Sequence, residues 1–217
     1  GDRASDWYEF SSEPGNIRDG SSSLIACDHW NRYPADHKII QQLGLNAYRM
    51  GVDWSRFEPA PGEWDRQALY HLRGMLDSLR RKKIKTLLTI HHFALPAWWL
   101  ARGGFTRSEN LPAFLRFVEV ILEYVADLVD EYITINEPNV YGYMSYVLGH
   151  WPPGESGLRG LRLSRAAGRN MILAHVGMVE RIRKIHGRKG KGKLRIGVAM
   201  HLLAFEPYRP DNAMDVD

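Results

Sequence analysis

The chain has 217 residues, 44% of them hydrophobic, enough to bury the core of one large domain. It carries 29 basic and 25 acidic residues for a formal net charge of +4, and much of the excess sits in the Gly-interrupted run 188–193. Without interleaved aromatics that run reads as a solvated loop, so no nucleic-acid partner is expected. No apolar stretch approaches the ~20 residues of a membrane span. Cys27 is the only cysteine, which excludes an intrachain disulfide and favours a reducing compartment. With no signal-peptide pattern at its start, a cytoplasmic location is expected.

Short apolar runs alternate with longer amphipathic segments, the signature of repeated βα units. The first ~25 residues, rich in Ser, Gly and Asp, are expected to be loop. A helix beginning near Pro34, since proline inside a helix would kink it, brings Ile39, Ile40 and Leu43 to the core before Gly44. A strand is predicted at 47–52. Asp65 then caps a helix with Leu69, Leu72, Met75, Leu76 and Leu79 on one face. A second strand at 85–90 precedes a helix starting near Pro112, with Phe114, Phe117, Val118, Ile121, Tyr124 and Leu128 in one stripe. The third strand is 132–136. A helix after Ser164 carries Met171, Ile172, His175, Met178, Val179, Ile182 and Ile185 and stops at Gly187, and the last strand is 194–200.

Extra length falls after the strands, at 54–64 and 93–111, where a (β/α) barrel keeps its substrate loops. No linker or repeat divides the chain. The expected fold class is α/β, a (β/α)8 TIM barrel of which residues 1–217 supply about four βα units as one partial domain. A complete barrel takes ~250 residues or more. A half-barrel leaves open strand edges, so self-association or a complementary half-barrel is expected to cover them.

The strand ends carry the polar residues. The first gives Arg49, costly inside a buried strand unless it meets a carboxylate, which leaves a structural ion pair open as a reading. The second gives His91 and His92, which point to opposite faces and so cannot share one metal. The third ends in Asn136, Glu137 and Pro138. Tyr132 to Ile135 suit a covered strand, and Pro138 stops it just beyond the carboxylate. Trp54, Trp98, Trp99 and Trp151 fall in the loops. Aromatics that stack on pyranose faces, beside polar groups that bind hydroxyls, suit a sugar.

The segments YRMGVDWSRFEPAPGEWD, LTIHHFALPAWW and TINEPN resemble, in order, the second-, third- and fourth-strand motifs of glycoside hydrolase family 1, the retaining β-glucosidases and β-galactosidases. ACDHW and GGF fit the same pattern, and the likeness runs from residue 1 to about residue 205. It implies hydrolysis of β-O-glycosidic bonds, with Glu137 as general acid/base, Arg49 beside the nucleophile, and His92 and Asn136 on the glycone. It implies a β-glycoside or oligosaccharide substrate and no metal or organic cofactor. By this likeness the chain holds the second to fifth barrel strands, and the first strand and the sixth to eighth lie outside it. Phe93 and Ala94 stand where many members have Trp-Asp, and Asp53 where many have a small residue or Glu. Nothing resembles the TENG-like segment that carries the family's nucleophile, and Glu155 and Glu206 lack a strand-end context. A second reading follows from that gap: a non-catalytic carbohydrate-binding or scaffold protein on a degenerate barrel. The acid/base constellation argues against it, because a binding module needs no protonating carboxyl.

Overall fold

The computed structural model describes residues 1–190, 193–204, 206 and 208. In chain order it holds α1 (Asp6–Ser12), α2 (His29–Gln42), β1 (Ala47–Gly51), α3 (Trp54–Phe57), α4 (Arg66–Arg81), β2 (Lys85–His91) and α5 (Ala97–Ala101). Two single 3-10 turns then lead to α6 (Leu111–Val125), β3 (Glu131–Asn136), α7 (Pro138–Gly142), a π-helical turn (Tyr143–Val147), α8 (Gly157–Lys189) and β4 (Arg195–Ala199). The strands form one sheet in the order β1-β2-β3-β4, and every pairing is parallel. Parallel neighbours need a crossover, and helices α4, α6 and α8 lie in these connections. Four parallel strands with helical crossovers are part of a (β/α)8 barrel.

The core lies between the sheet and its helices. Leu88, Ile90, Tyr132 and Ile135 meet Leu69, Leu72, Leu76 and Leu79 of α4, Phe114, Phe117 and Val118 of α6, and Met171, Ala174 and Met178 of α8, all fully buried or nearly so. At about 1.5–3 kcal/mol for each large apolar side chain removed from water, this face outweighs any surface ion pair as the source of cohesion. The other face is less covered: Arg49 and Gly51 on β1 and Gly197 on β4 are exposed. Among the described residues, β1 and β4 each keep one edge unpaired.

The predicted strands lie within two residues of those observed, and Asp65 caps α4 by accepting the Ala68 N–H at 2.9 Å. The short helices α3 and α5 fall inside 54–64 and 93–111, read as loops, and α1, α2 and α8 also depart from the expectation. α1 falls inside the Ser-rich opening, capped by Ser5, whose hydroxyl accepts the Trp7 N–H. α2 starts at His29 and contains Pro34. Proline lacks the N–H that would reach the Trp30 carbonyl, and His71 takes that place with its Nε2 2.7 Å from Trp30 O. α8 starts at Gly157, ahead of the apolar stripe, because Gly160 has no Cβ to clash with the Tyr146 carbonyl it lies against. At its other end α8 passes Gly187, so Arg188 and Lys189 are helical and pair with Glu123. The basic run is therefore not wholly a loop, and residues 191 and 192 of it lie outside the described residues. No helix among the described residues is long and apolar enough to cross a membrane.

Replacing Asp65 with Ala removes the cap of α4, and urea unfolding is expected to show a loss of about 1 kcal/mol. An unchanged midpoint would mean that the cap contributes nothing beyond packing.

Candidate active site

From the middle of β1, Arg49 reaches sideways across the sheet. Its Nε donates to Thr89 Oγ1 on β2 at 2.9 Å, and its Nη2 donates to Asn136 Oδ1 on β3. Both partners are neutral, so the structural ion pair is not formed among the described residues. One guanidinium therefore ties three strands together at their C-terminal ends. Thr89 was not picked out by sequence reasoning; a Thr inside a β-branched run carries no mark of this contact.

The two histidines that close β2 have opposite surroundings. His91 is 2% exposed, with ring centroids of Phe105 at 5.1 Å, Tyr141 at 5.5 Å and Phe114, on α6, at 6.4 Å. Burial pushes its imidazole pKa down to about 3, with the neighbouring His92 adding to the effect, and it stays neutral. His92 is exposed and lies over Gly51, with its Cβ 3.7 Å from where a Gly51 Cβ would stand. Partial burial and then the Arg49 charge lower its pKa, while Glu137 acts in the opposite sense. His92, Arg49 and Glu137 are thus electrostatic neighbours. The next residue, Phe93, has φ 71°, and the Ala94 N–H returns to the His92 carbonyl at 2.9 Å. That is a γ-turn with a positive central φ, a strained way to leave a strand.

β3 ends through a break in regular pairing. Thr134 Oγ1 lies 2.7 Å from His175 Nδ1 of α8, whereas Asn136, two residues on, meets Arg49. The register shift between Ile133 and Asn136 lets two side chains of the same parity face different neighbours. Glu137 then adopts φ 43°, ψ 60°, a left-handed conformation uncommon outside glycine. Its N–H donates to Ala199 O at 2.7 Å, its carbonyl accepts the Tyr141 N–H at 3.0 Å, and Pro138 opens α7. Adjacent strands therefore both exit through left-handed residues, and such strain concentrates at functional sites.

The tryptophans are sorted differently from the sequence expectation. Trp54 and Trp99 are core residues, 1% and 0% exposed, and the Trp54 indole donates to Glu58 Oε2 at 2.8 Å. Glu58 also holds Arg116 and the Gly62 N–H, and its carbonyl accepts from Trp98 Nε1. Trp151 alone of the four stands by the strand ends, its ring 4.7 Å from Phe93. Trp7 of α1, which sequence reasoning passed over as loop, lies 5.7 Å beyond it. Among the described residues no three His, Cys, Asp or Glu side chains are placed to hold a metal ion.

Asp6 fixes α1 to this region. Its N–H donates to Leu95 O at 2.9 Å, and its Oδ1 accepts the Leu95 N–H at 3.0 Å and the Trp7 N–H at 2.8 Å. Leu95 is three residues past His92, so Asp6 steadies the loop that leaves β2.

A parallel sheet presenting Arg, His, Asn and Glu together at the C-terminal ends of its strands has the architecture of a (β/α)-barrel enzyme. The sequence model described as "Glycosyl hydrolase family 1" matches residues 1–217. The chain belongs to that family. It is 33% identical to beta-glucosidase A of Thermotoga maritima over 202 residues, 93% of this chain and 44% of that protein. It is 32% identical to "Probable inactive beta-glucosidase 14" of Oryza sativa, over 94% of this chain and 42% of that one. The solved Thermotoga maritima beta-glucosidase with glucoimidazole superposes with a TM-score of 0.88 at 32% identity, covering 98% of this chain and 46% of the other. The chain thus spans slightly under half the length of these relatives.

Asp6 generates a pH prediction. Burial, reinforced by Asp53, raises its pKa from 3.8 to about 7 against its hydrogen bonds. The folded protein then holds a proton that the unfolded chain releases above about pH 4. Stability from this group is present in full below pH 4 and is lost as pH rises to about 7. The difference in unfolding free energy between wild type and Asp6→Asn is expected to shift by a few kcal/mol over that window, in order of magnitude. A pH-independent difference would show that Asp6 titrates normally.

Proposed function

We propose that this chain is the acid/base half of a retaining β-glycosidase acting on β-glucoside-type substrates. In this reading residues 1–217 form one partial barrel domain carrying the second to fifth strands. The observation that carries it is Glu137, a carboxylate turned by a left-handed backbone at a strand end, beside Asn136 and across from His92. Glu137 protonates the glycosidic oxygen as the leaving group departs and later deprotonates the incoming water. Asn136 has its Oδ1 occupied by Arg49, which leaves its amide N–H groups for a sugar hydroxyl. His92, a neutral imidazole at neutral pH, both donates and accepts toward neighbouring hydroxyls. Arg49 faces the second carboxylate and holds its charge in place.

A retaining mechanism needs that second carboxylate about 5–5.5 Å from the first, on the other side of the sugar. In this reading it belongs to a complementary half-barrel that also pairs with the open edges of β1 and β4. The resemblance to a relative described as probably inactive keeps a second reading in play, a carbohydrate-binding protein without turnover.

Two measurements test the proposal. Residues 1–217 alone are expected to release no p-nitrophenol above background from its β-glucoside, and a complementary C-terminal barrel half supplied in trans is expected to restore release. Turnover by the isolated half would mean that another carboxylate of this chain serves as nucleophile. In the complemented enzyme, Glu137→Gln is expected to slow an alkyl β-glucoside by about 10²–10⁴-fold. A dinitrophenyl β-glucoside, whose leaving group needs no proton, should be far less affected. Equal losses on both substrates would remove Glu137 from the acid role.

A further inference from the structure

The Arg49 guanidinium is a flat, rigid fork of N–H donors, and two of its three nitrogens are tied to other strands. Nε donates to Thr89 Oγ1 at 2.9 Å and Nη2 to Asn136 Oδ1, while Nη1 has no partner among the described residues. The strand register shows how far the side chain leans to do this. Arg49 stands opposite Leu87, and Thr89 stands opposite Gly51, two residues nearer the strand ends. The guanidinium is therefore drawn toward a residue roughly 6–7 Å farther along β2. Gly51, the next residue on that face of β1, has no side chain to stand in the way.

Thr89 is suited to hold the fork still. It is fully buried, so no water competes for its hydroxyl oxygen, and a β-branched side chain in a strand keeps χ1 stiff. A planar group held at one point can swing. Held at two points on two different strands, its plane and the direction of its free edge are both set. The same arrangement reaches Asn136, which is 3% exposed: with Oδ1 engaged by Arg49, its amide nitrogen must face the other way. Without the Thr89 acceptor Arg49 keeps a single bond, and the amide loses the fixed donor that decides its orientation. A threonine that only filled space in the sheet would be replaceable by valine, which has the same shape and no acceptor.

We infer that Thr89 is a positioning residue of the candidate active site: its hydroxyl sets the direction of the Arg49 guanidinium and, through it, the end of the Asn136 amide that faces the substrate. The catalytic consequence rests on the proposed glycosidase reading, in which the free Nη1 edge of Arg49 meets the second carboxylate. The placement of Arg49 does not rest on it. Thr89 acts through Arg49 and not on the substrate itself.

The test reads Arg49 through His92, whose imidazole pKa is lowered by partial burial and then by the Arg49 charge, with Glu137 opposing and the neutral His91 alongside. His92 is titrated by NMR in residues 1–217, and His92→Gln assigns its resonance. Arg49→Met, which removes the charge, sets the upper limit of the expected rise. Thr89→Val is expected to raise the His92 pKa toward that limit, and Thr89→Ser, which keeps the hydroxyl, to leave it at the wild-type value. An unchanged or lowered pKa in Thr89→Val, or the same rise in Thr89→Ser, overturns the inference. Should Thr89→Val not fold, Thr89→Cys, with a weak acceptor of similar size, carries the comparison under the same criteria. In the complemented enzyme Thr89→Val is expected to lower kcat on p-nitrophenyl β-glucoside about 10–100-fold with little change in KM, and Thr89→Ser to recover most of the loss. Wild-type turnover in Thr89→Val would overturn the catalytic role. If the complemented wild type shows no turnover, the glycosidase reading fails, and the His92 titration alone decides whether Thr89 places Arg49.

Discussion

All four strands run the same way, so every strand must leave the sheet at one edge, and the chain must return along the helical face before it can start the next. This constraint organises the molecule. It sends the apolar faces of α4, α6 and α8 to one side of the sheet, where nearly all the cohesion resides. It also delivers residues 49, 92 and 137 to a common border although they are far apart in sequence. Arg49 makes that border a unit, since its two hydrogen bonds reach β2 and β3 from β1. The packed face and the polar border draw on different residues, so the border can vary chemically without the core being remade.

The border is held at some energetic cost. Left-handed backbone at Phe93 and Glu137 costs on the order of 1–3 kcal/mol each and persists only because neighbours over-determine it. Around Glu137 the neighbours are Pro138, the Ala199 carbonyl and the Tyr141 N–H. Glycine would relieve the strain at either position but would remove the side chain. The carboxylate and the awkward backbone therefore come together, and a fold that tolerates the second gains the first at a fixed angle.

Much of this was legible in the residues. The strands announced themselves as short apolar runs, β-branched in the third, and α4 and α6 through a clear apolar stripe behind Asp65 and Pro112. The misreadings share a physical cause: local rules were answered by distant groups. Pro34 signals a helix start unless something else serves the Trp30 carbonyl, and His71, from a different helix, does so. The residues 157–164 lack an apolar stripe, yet form the first turns of α8 because Gly160 permits contact with the Tyr146 backbone. The opening segment looked like loop because α1 is short and Asp6 reads as polar, although it is 2% exposed and anchored on Leu95. Trp54 and Trp99 show the same limit, since tryptophan in a loop serves a ligand or a core according to what folds over it. At the border, Arg49, His92, Asn136 and Glu137 were nameable from motif resemblance, whereas Thr89 became visible only once the strands were paired.

The strand order β1-β2-β3-β4 has a consequence for how the protein is made. Each strand pairs with the one synthesised just before it, so no strand waits for a later one to be inserted between existing neighbours. During synthesis a finished βα unit offers its open edge as a template for the next. The pairing order thus lets the sheet grow from β1 toward β4 in the order of synthesis, with the outer edge of β1 open throughout.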